Sequence, residues 1–136
     1  MKLYVMGKFE DRENVKMLMQ FFRSLGHTIT CDWTGHKVTD EGYPVQYSQD
    51  DCQGVRDCDV AVGRFIENYH YRGAIAEMGM TLVLDKPVWI IGHAIDTMIF
   101  AHHPLVRKFD NETQFKYWFT KNMFDSQELG LSNELV

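Results

Sequence analysis

The sequence has few cysteines, no long apolar run and no cluster of basic residues, and each shortage excludes a class of protein. Its three cysteines lack CxxC spacing, which argues against a disulfide framework and against a zinc site. No apolar run approaches the roughly 20 residues of a membrane helix. With 14 basic and 19 acidic side chains the net charge is −5, so the chain has no basic surface for a nucleic-acid backbone.

Motifs for phosphate loops and for a serine nucleophile are also missing. Neither GxGxxG nor GxxxxGK[ST] occurs, which counts against dinucleotides and ATP, and there is no GxSxG. The opening segment reaches Gly7 and Lys8 too soon to hold the apolar region of a signal peptide. A composition of 13% aromatic and 24% charged residues excludes disorder. We therefore expect a cytoplasmic globular protein with neither membrane nor nucleic-acid polymer as partner.

The hydrophobic pattern predicts one α/β domain over residues 1–122, followed by a polar tail at 123–136. Short apolar runs indicate four strands, near residues 3–6, 27–31, 60–62 and 87–91. Helical periodicity indicates helices near residues 11–25, 48–56, 72–84 and 111–122. The third of these helices should bury Ile75, Met78, Leu82 and Val83. Alternation of strands and helices predicts a mostly parallel sheet covered on both faces, in three layers.

Glycines end three of the predicted strands, and they mark the rim where α/β sheets bind ligands. These glycines are Gly7, Gly63 and Gly92. Simple turn geometry is the alternative explanation for each of them. Near this rim the topology places an aromatic ring, cations and a carboxylate, contributed by Phe9, Lys8, Arg12 and Glu77. The residues alone thus predict a pocket for a small polar ligand with a flat apolar part.

Glu77 stands out because it lies in an otherwise nearly uncharged helix. Burying a carboxylate among apolar residues is unfavourable without a partner, so a functional role is one interpretation and a pair with Arg72 is the other. Asp50 and Asp51 lie near the start of a predicted helix, so they either have a functional role or simply cap the helix N-terminus. The adjacent histidines His102 and His103 point apart on an extended chain and lack a third ligand. We therefore predict no metal and no cofactor.

Three segments resemble the nucleoside 2-deoxyribosyltransferase family. The run GKFEDR at residues 7–12 resembles its opening loop, and DCQGVRDCD at residues 51–59 resembles the segment with its base-contacting aspartate. The run RGAIAEMG at residues 72–79, followed by KPV at residues 86–88, is similar to its second signature. The resemblance covers about residues 2–119, and the 26-residue separation of Asp51 and Glu77 is that of the transferase branch.

The resemblance implies a flavodoxin-like, doubly wound fold and cleavage of the N-glycosidic bond of a 2′-deoxynucleoside. Glu77 would be the nucleophile at C1′, Asp51 would bind the base and help to protonate it, and Phe9 would stack on it. The substrate contacts implied are Gly7, Lys8, Phe9, Arg12, Gly63, Phe65, Arg72 and Gly73. The partners implied are a nucleoside or nucleotide, a nucleobase and a second copy of the chain in a homodimer or higher oligomer.

Tyr71 departs from the pattern, because transferases carry an aspartate six residues before the nucleophile. A catalytic role for Tyr71 therefore stays open, and so do two alternatives to deoxyribosyl transfer. One is an N-hydrolase of nucleoside 5′-monophosphates, in which Lys8 and Arg12 would hold the phosphate. The other is a nucleotide-binding module without turnover.

Overall fold

A sheet of five parallel strands forms the centre of the molecule. The structure is a computed structural model, and it describes residues 1–123 of the chain. The strand order is β2-β1-β3-β4-β5. The strands are β1 (Lys2–Met6), β2 (Thr28–Ile29), β3 (Val60–Arg64), β4 (Val88–Ile91) and β5 (Val106–Phe109). All four neighbouring pairs are parallel.

Four helices cover the two faces of this sheet, as the sequence predicts. They are α1 (Arg12–Ser24), α2 (Val45–Asp57), α3 (Arg72–Val83) and α4 (Glu112–Asn122). Helices α2 and α3 contact each other and β1 on one face. On the other face, Phe22 of α1 packs against Phe119 of α4 with ring centroids 4.9 Å apart. Three layers, parallel strands and this strand order define a flavodoxin-like doubly wound fold, which confirms the predicted fold class.

The structure corrects four details of the sequence prediction. A fifth strand, β5, was not predicted, because it is short and carries Arg107 and Lys108 at an edge of the sheet. Helix α2 begins at Val45, three residues before the predicted start. Gly63 lies inside β3, not after it. In α3, Met78 and Leu82 are buried as expected, whereas Ile75 is only partly buried and Val83 is 82% exposed.

The remaining boundaries fall close to their expected places. The linker between β4 and β5 contains only a short 3-10 helix (Ile99–His102), so the last crossover has no α-helix. His102 and His103 each have a separate hydrogen-bond partner, namely the Asp96 carbonyl oxygen and the Leu105 amide. No helix within residues 1–123 is long and apolar enough to cross a membrane. The predicted tail beyond Met123 lies outside the described residues.

Gly54 allows α2 to lie directly against β1 and the loop after β2. A Cβ atom built at Gly54 would lie 2.7 Å from Cys31 Cβ and 2.9 Å from Tyr4 Cδ2, both closer than carbon atoms approach in proteins. Gly79 of α3 offers a contrast, since a Cβ there meets no atom within 4 Å. Both glycines are helical, so the two positions share the same backbone preference for alanine.

We predict that Gly54→Ala lowers the free energy of unfolding by about 1–3 kcal/mol, because the added methyl group overpacks this contact. Gly79→Ala is the matched control and should be neutral or stabilising by up to about 1 kcal/mol. Urea unfolding of both variants measures the difference. Equal effects at the two positions would show that α2 can move away from β1 without cost.

Candidate active site

A cavity of about 680 Å³ opens at the carboxyl ends of β1 and β3. Here the connections leave the sheet in opposite directions, since α1 leads from β1 to β2 and α3 leads from β3 to β4. Residues from the loop after β1, the loop before α2, α2 itself and the start of α3 form its wall. They are Gly7, Lys8, Phe9, Glu10, Trp33, His36, Tyr43, Pro44, Val45, Tyr47, Ser48, Asp51, Tyr69, His70, Tyr71, Arg72, Gly73, Ala74 and Glu77.

Glu77 projects from α3 into this wall and forms a hydrogen bond with a strand residue. The Tyr4 hydroxyl, on the interior strand β1, donates to Glu77 Oε2. Burial, opposed by the Tyr4 hydrogen bond and aided by the Asp51 charge, raises the pKa of Glu77 to about 8. The partner of the buried acid is therefore a neutral phenol, not the Arg72 considered from sequence. Such a carboxyl exchanges its proton close to neutral pH, as an acid–base group requires, and its ionised form can act as a nucleophile.

Tyr4 is fully buried and its position is fixed by the sheet. Burial, with the negative charge of Glu77, raises the pKa of the Tyr4 phenol well above its usual range. The phenol consequently keeps its proton and acts as a donor to Glu77. Sequence analysis did not identify Tyr4 as a site residue, because a tyrosine in an apolar strand reads simply as core.

Asp51 lies on α2, which contacts α3, and it lines the same cavity as Glu77. Since α2 begins at Val45, Asp51 is well inside the helix, and the expectation that it caps the N-terminus is wrong. Its Oδ1 atom lies 3.5 Å from the Cys31 sulfur, which donates to it. Burial raises the pKa of Asp51, whereas the Cys31 hydrogen bond and His36 lower it. Burial and the nearby Asp51 charge likewise raise the pKa of the Cys31 thiol to about 12.

Tyr71 occupies the N-cap position of α3 in a left-handed conformation with φ 50° and ψ 38°. This conformation is unfavourable for a bulky residue, and contacts on several sides hold it in place. Its ring packs edge-on against Phe65 at 4.9 Å and against Tyr69 at 5.6 Å. Its hydroxyl accepts a hydrogen bond from the Glu67 amide at 3.1 Å. Because the amide is the donor in this bond, the Tyr71 hydroxyl proton is not used in it.

The structure brings most, but not all, of the sequence-predicted residues to the cavity. Gly7, Lys8, Phe9, Arg72 and Gly73 line it together with the three residues predicted as catalytic. Gly63, Phe65 and Arg12 are not among the lining residues.

Each of these three residues packs elsewhere. Phe65 is fully buried, and its ring fills the space that a Cβ at Gly63 would need. The Arg12 guanidinium lies over the Phe9 ring, 4.5 Å from its centroid. A substrate contact at these three positions stays a prediction.

Lys8 has partners of its own at the cavity. Its Nζ atom forms an ion pair with Glu67 at 2.6 Å and lies 4.5 Å from the centroid of the Tyr69 ring. The side chain is only 10% exposed. A ligand phosphate at Lys8 would therefore compete with Glu67 for this cation.

Several wall residues were missed by sequence analysis. Glu10 adds a third carboxylate, and the Tyr69 hydroxyl donates to it at 3.2 Å. The loop before α2 and the first turn of α2 contribute aromatic rings, among which the His36 ring of the loop and the Tyr47 ring of the helix are stacked at 3.8 Å. The run of aromatic and histidine residues between Trp33 and Tyr47 was a usable signal, but glycine and proline there indicated only a loop.

Three solved structures share this fold. The 2-deoxyribosyltransferase of the psychrotolerant bacterium Bacillus psychrosaccharolyticus is 20% identical, with a TM-score of 0.67 over 95% of this chain and 96% of that one. The CMP N-glycosidase of Clostridium botulinum is 12% identical, with a TM-score of 0.59 over 97% and 100% of the two chains. A conserved protein from Enterococcus faecalis V583 is 15% identical, with a TM-score of 0.53 over 94% and 93%.

No family model and no curated protein sequence matches the chain. At 12–20% identity the three structures establish the fold. They agree with the resemblance to the nucleoside 2-deoxyribosyltransferase family stated from the sequence.

The raised pKa of Glu77 predicts how stability depends on pH. Between its ordinary value of 4.5 and about 8, the folded state holds a proton that the unfolded state has lost. The free energy of unfolding contributed by Glu77 therefore falls as the pH rises through this range. Glu77→Gln mimics the protonated acid, so the variant should gain stability relative to the wild type between pH 5 and pH 9. One pKa unit corresponds to about 1.4 kcal/mol, and we expect the gain to exceed about 1 kcal/mol.

Chemical unfolding of both proteins at the two pH values measures this gain. Glu13→Gln, at an exposed glutamate in the first turn of α1, controls for the loss of one negative charge. A constant difference between wild type and Glu77→Gln across the range would contradict the assignment of a raised pKa to Glu77.

Proposed function

We propose that the protein cleaves the N-glycosidic bond of a 2′-deoxynucleoside through Glu77 and transfers the deoxyribosyl group to another base. The observation that carries the proposal is a single one. A carboxyl group with a pKa of about 8, hydrogen-bonded to a buried tyrosine, lies on the wall of an aromatic cavity that a second carboxyl group, Asp51, also lines. The fold shared with a 2-deoxyribosyltransferase and a CMP N-glycosidase supports the same chemistry.

The proposed reaction has two steps with the same groups in reversed roles. In the first, a Glu77 oxygen bonds to C1′ while the bond from C1′ to the base nitrogen breaks and its electron pair leaves with the base. For this step Glu77 is ionised and the proton of the carboxyl pair is on Asp51, which gives that proton to the departing base. In the second, an acceptor base attacks C1′, Glu77 leaves as a carboxylate, and Asp51 regains a proton from the acceptor.

Tyr4 has a positioning role in this scheme. Its hydroxyl fixes one oxygen of the Glu77 carboxylate, which leaves the other oxygen to attack. Because the phenol keeps its proton, Tyr4 stabilises the carboxylate both before attack and after the ester is broken. A positioned neutral donor suits a nucleophile that must also be a leaving group.

The cavity supports a ligand of nucleoside size. Its volume of about 680 Å³ falls within the range of small-molecule sites. Phe9, Trp33 and Tyr47 are on its wall and offer faces or edges on which a planar base can stack. Stacking of this kind is tolerant of base identity, which a transferase with two different bases requires.

A second candidate function is hydrolysis of a nucleoside 5′-monophosphate. Lys8 and Arg72 line the cavity and would place positive charge around a phosphate, and His70 adds an imidazole that can form a hydrogen bond. Tyr71 stands where transferases carry an aspartate. An uncharged phenol is a weaker hydrogen-bond acceptor for an acceptor base than a carboxylate is, so Tyr71 favours this alternative. Water would then replace the acceptor base in the second step.

The predicted homodimer stays a prediction. The connection between β4 and β5 exposes 78% of Ile99 and 50% of Phe100, whereas Met98 packs against the core. Two adjacent exposed apolar side chains suit a contact with a second copy of the chain.

We predict that Glu77→Gln lowers the rate of base release by about 10³-fold or more, because the covalent step is lost. Ligand binding should persist, since glutamine keeps the shape of the site. The assay is a panel of deoxynucleosides and 5′-monophosphates, with and without an acceptor base, followed by chromatography of the free bases. Base exchange identifies a transferase, release without acceptor a hydrolase, and saturable binding without release a sensor. Near-normal turnover by Glu77→Gln would exclude Glu77 as nucleophile.

We predict that Asp51→Ala lowers kcat/KM by the equivalent of about 2–4 kcal/mol, as for loss of a group that acts in the transition state. Tyr71→Asp should shift the products towards base exchange if the missing aspartate limits transfer, and Tyr71→Phe tests the hydroxyl alone. Asp50→Ala, the neighbour on α2 that does not line the cavity, is the matched control. Unchanged kinetics in Asp51→Ala would remove Asp51 from the mechanism.

A further inference from the structure

One group of side chains in the cavity wall has no part in the glycosyl chemistry beyond Asp51. Cys31, His36 and Asp51 each present one ligand atom, and these three atoms lie within 4.8 Å of one another. All three residues are half-buried. Cys31 lies near the start of the connection between β2 and α2, His36 follows the short 3-10 turn (Trp33–Gly35) in that connection, and Asp51 lies on α2.

The geometry points to a binding site for a divalent cation of the zinc type formed by Cys31, His36 and Asp51. In a tetrahedral zinc site, metal–sulfur and metal–oxygen distances of about 2.3 and 2.0 Å place the two ligand atoms about 3.5 Å apart. The Cys31 sulfur and Asp51 Oδ1 are 3.5 Å apart. The same three-ligand arrangement, with a fourth ligand from solvent or substrate, is typical of zinc sites that face a cavity.

Contacts around the group hold each ligand in place. The Trp33 indole donates to the Val5 carbonyl at 2.7 Å, which fixes the short 3-10 turn (Trp33–Gly35) between Cys31 and His36. The His36 ring lies flat on Tyr47, with ring centroids 3.8 Å apart and the planes 2° from parallel. Gly54, with no Cβ, lets α2 come close to Cys31. Ligands that are fixed by their neighbours lose little freedom on binding a metal.

The donor set selects the class of ion. A thiolate and an imidazole favour Zn²⁺ and the neighbouring transition metals, whereas Mg²⁺ and Ca²⁺ prefer oxygen ligands alone. On binding, the Cys31 thiol releases its proton to solvent and the sulfur coordinates as thiolate. Loss of the thiol proton would place a thiolate next to the Asp51 carboxylate, and a bound dication would offset their repulsion. This site departs from the expectation, drawn from sequence, that the chain binds no metal.

Occupation of this site would remove Asp51 from base recognition, so zinc should inhibit the reaction. This consequence rests on the proposed function, whereas the site itself does not. His36 and Asp51 both line the cavity, so the ion would lie where the proposed mechanism places the leaving base. We therefore expect zinc to act as an inhibitor competitive with substrate.

Cobalt(II) is the probe for the site, because coordination by a thiolate gives an intense near-ultraviolet charge-transfer band. We expect the full chain to develop this band with one cobalt per chain and to lose it when zinc is added. Cys31→Ser should abolish the band, and His36→Ala should weaken cobalt and zinc binding by more than about 100-fold. That expectation follows because losing even a residue that only orients a ligand costs roughly 10–100-fold in affinity. Cys52→Ser, at the half-buried cysteine next to Asp51 in the sequence, is the matched control and should bind as the wild type does.

The outcomes separate the site from the function. Absence of the band in the wild type, or its persistence in Cys31→Ser, would overturn the proposed site whatever the enzyme does. If the site binds metal, the inhibition constant for zinc in the base-release assay should rise in His36→Ala in parallel with the dissociation constant. Zinc that binds at this site and leaves turnover unchanged would overturn the inhibitory role. Failure to find any base release would refute the proposed function and leave the cobalt measurement valid.

Discussion

The hydrogen bond between Tyr4 and Glu77 is the interaction on which the candidate site depends. It joins the interior strand β1 to α3 and gives a buried carboxyl group its only hydrogen-bond partner among the described side chains. Without that partner, the acid would be unsatisfied in an apolar surrounding, which is among the less favourable arrangements in a protein interior. With it, the carboxyl stays at the cavity wall with a pKa near 8.

The opposite wall depends on close packing. Helix α2 lies near β1 because Gly54 has no side chain. The hydroxyl of Thr30, just after β2, donates to the Gly54 carbonyl at 2.7 Å. These contacts set the distance between Asp51 and the loop that carries Cys31 and His36. The position of Glu77 thus depends on one hydrogen bond, from Tyr4, and the position of Asp51 depends on the small residue Gly54.

Much of the fold could be predicted from the sequence, since four strands and four helices follow from apolar runs and helical periodicity. Strand β5 could not, because Arg107 and Lys108 interrupt its apolar pattern at an edge where water is accessible. The start of α2 was placed late, since Tyr43 and Pro44 indicate a loop and the residues after them carry no clear apolar periodicity. Glu77 was identifiable as an isolated acid. Tyr4 and Cys31 were not, because their roles arise from partners 73 and 20 residues away in the sequence.

The two edges of the sheet restrict how copies of this chain can associate. One edge strand, β2, has two residues, and the other, β5, has four and carries two cations. Short and charged edges are poor templates for adding a strand from another molecule. A continuous sheet across two subunits is therefore disfavoured, which leaves helix faces and loops as the better contact surfaces within residues 1–123. The short and charged edge strands also protect the sheet from edge-to-edge aggregation with other copies of the chain during folding.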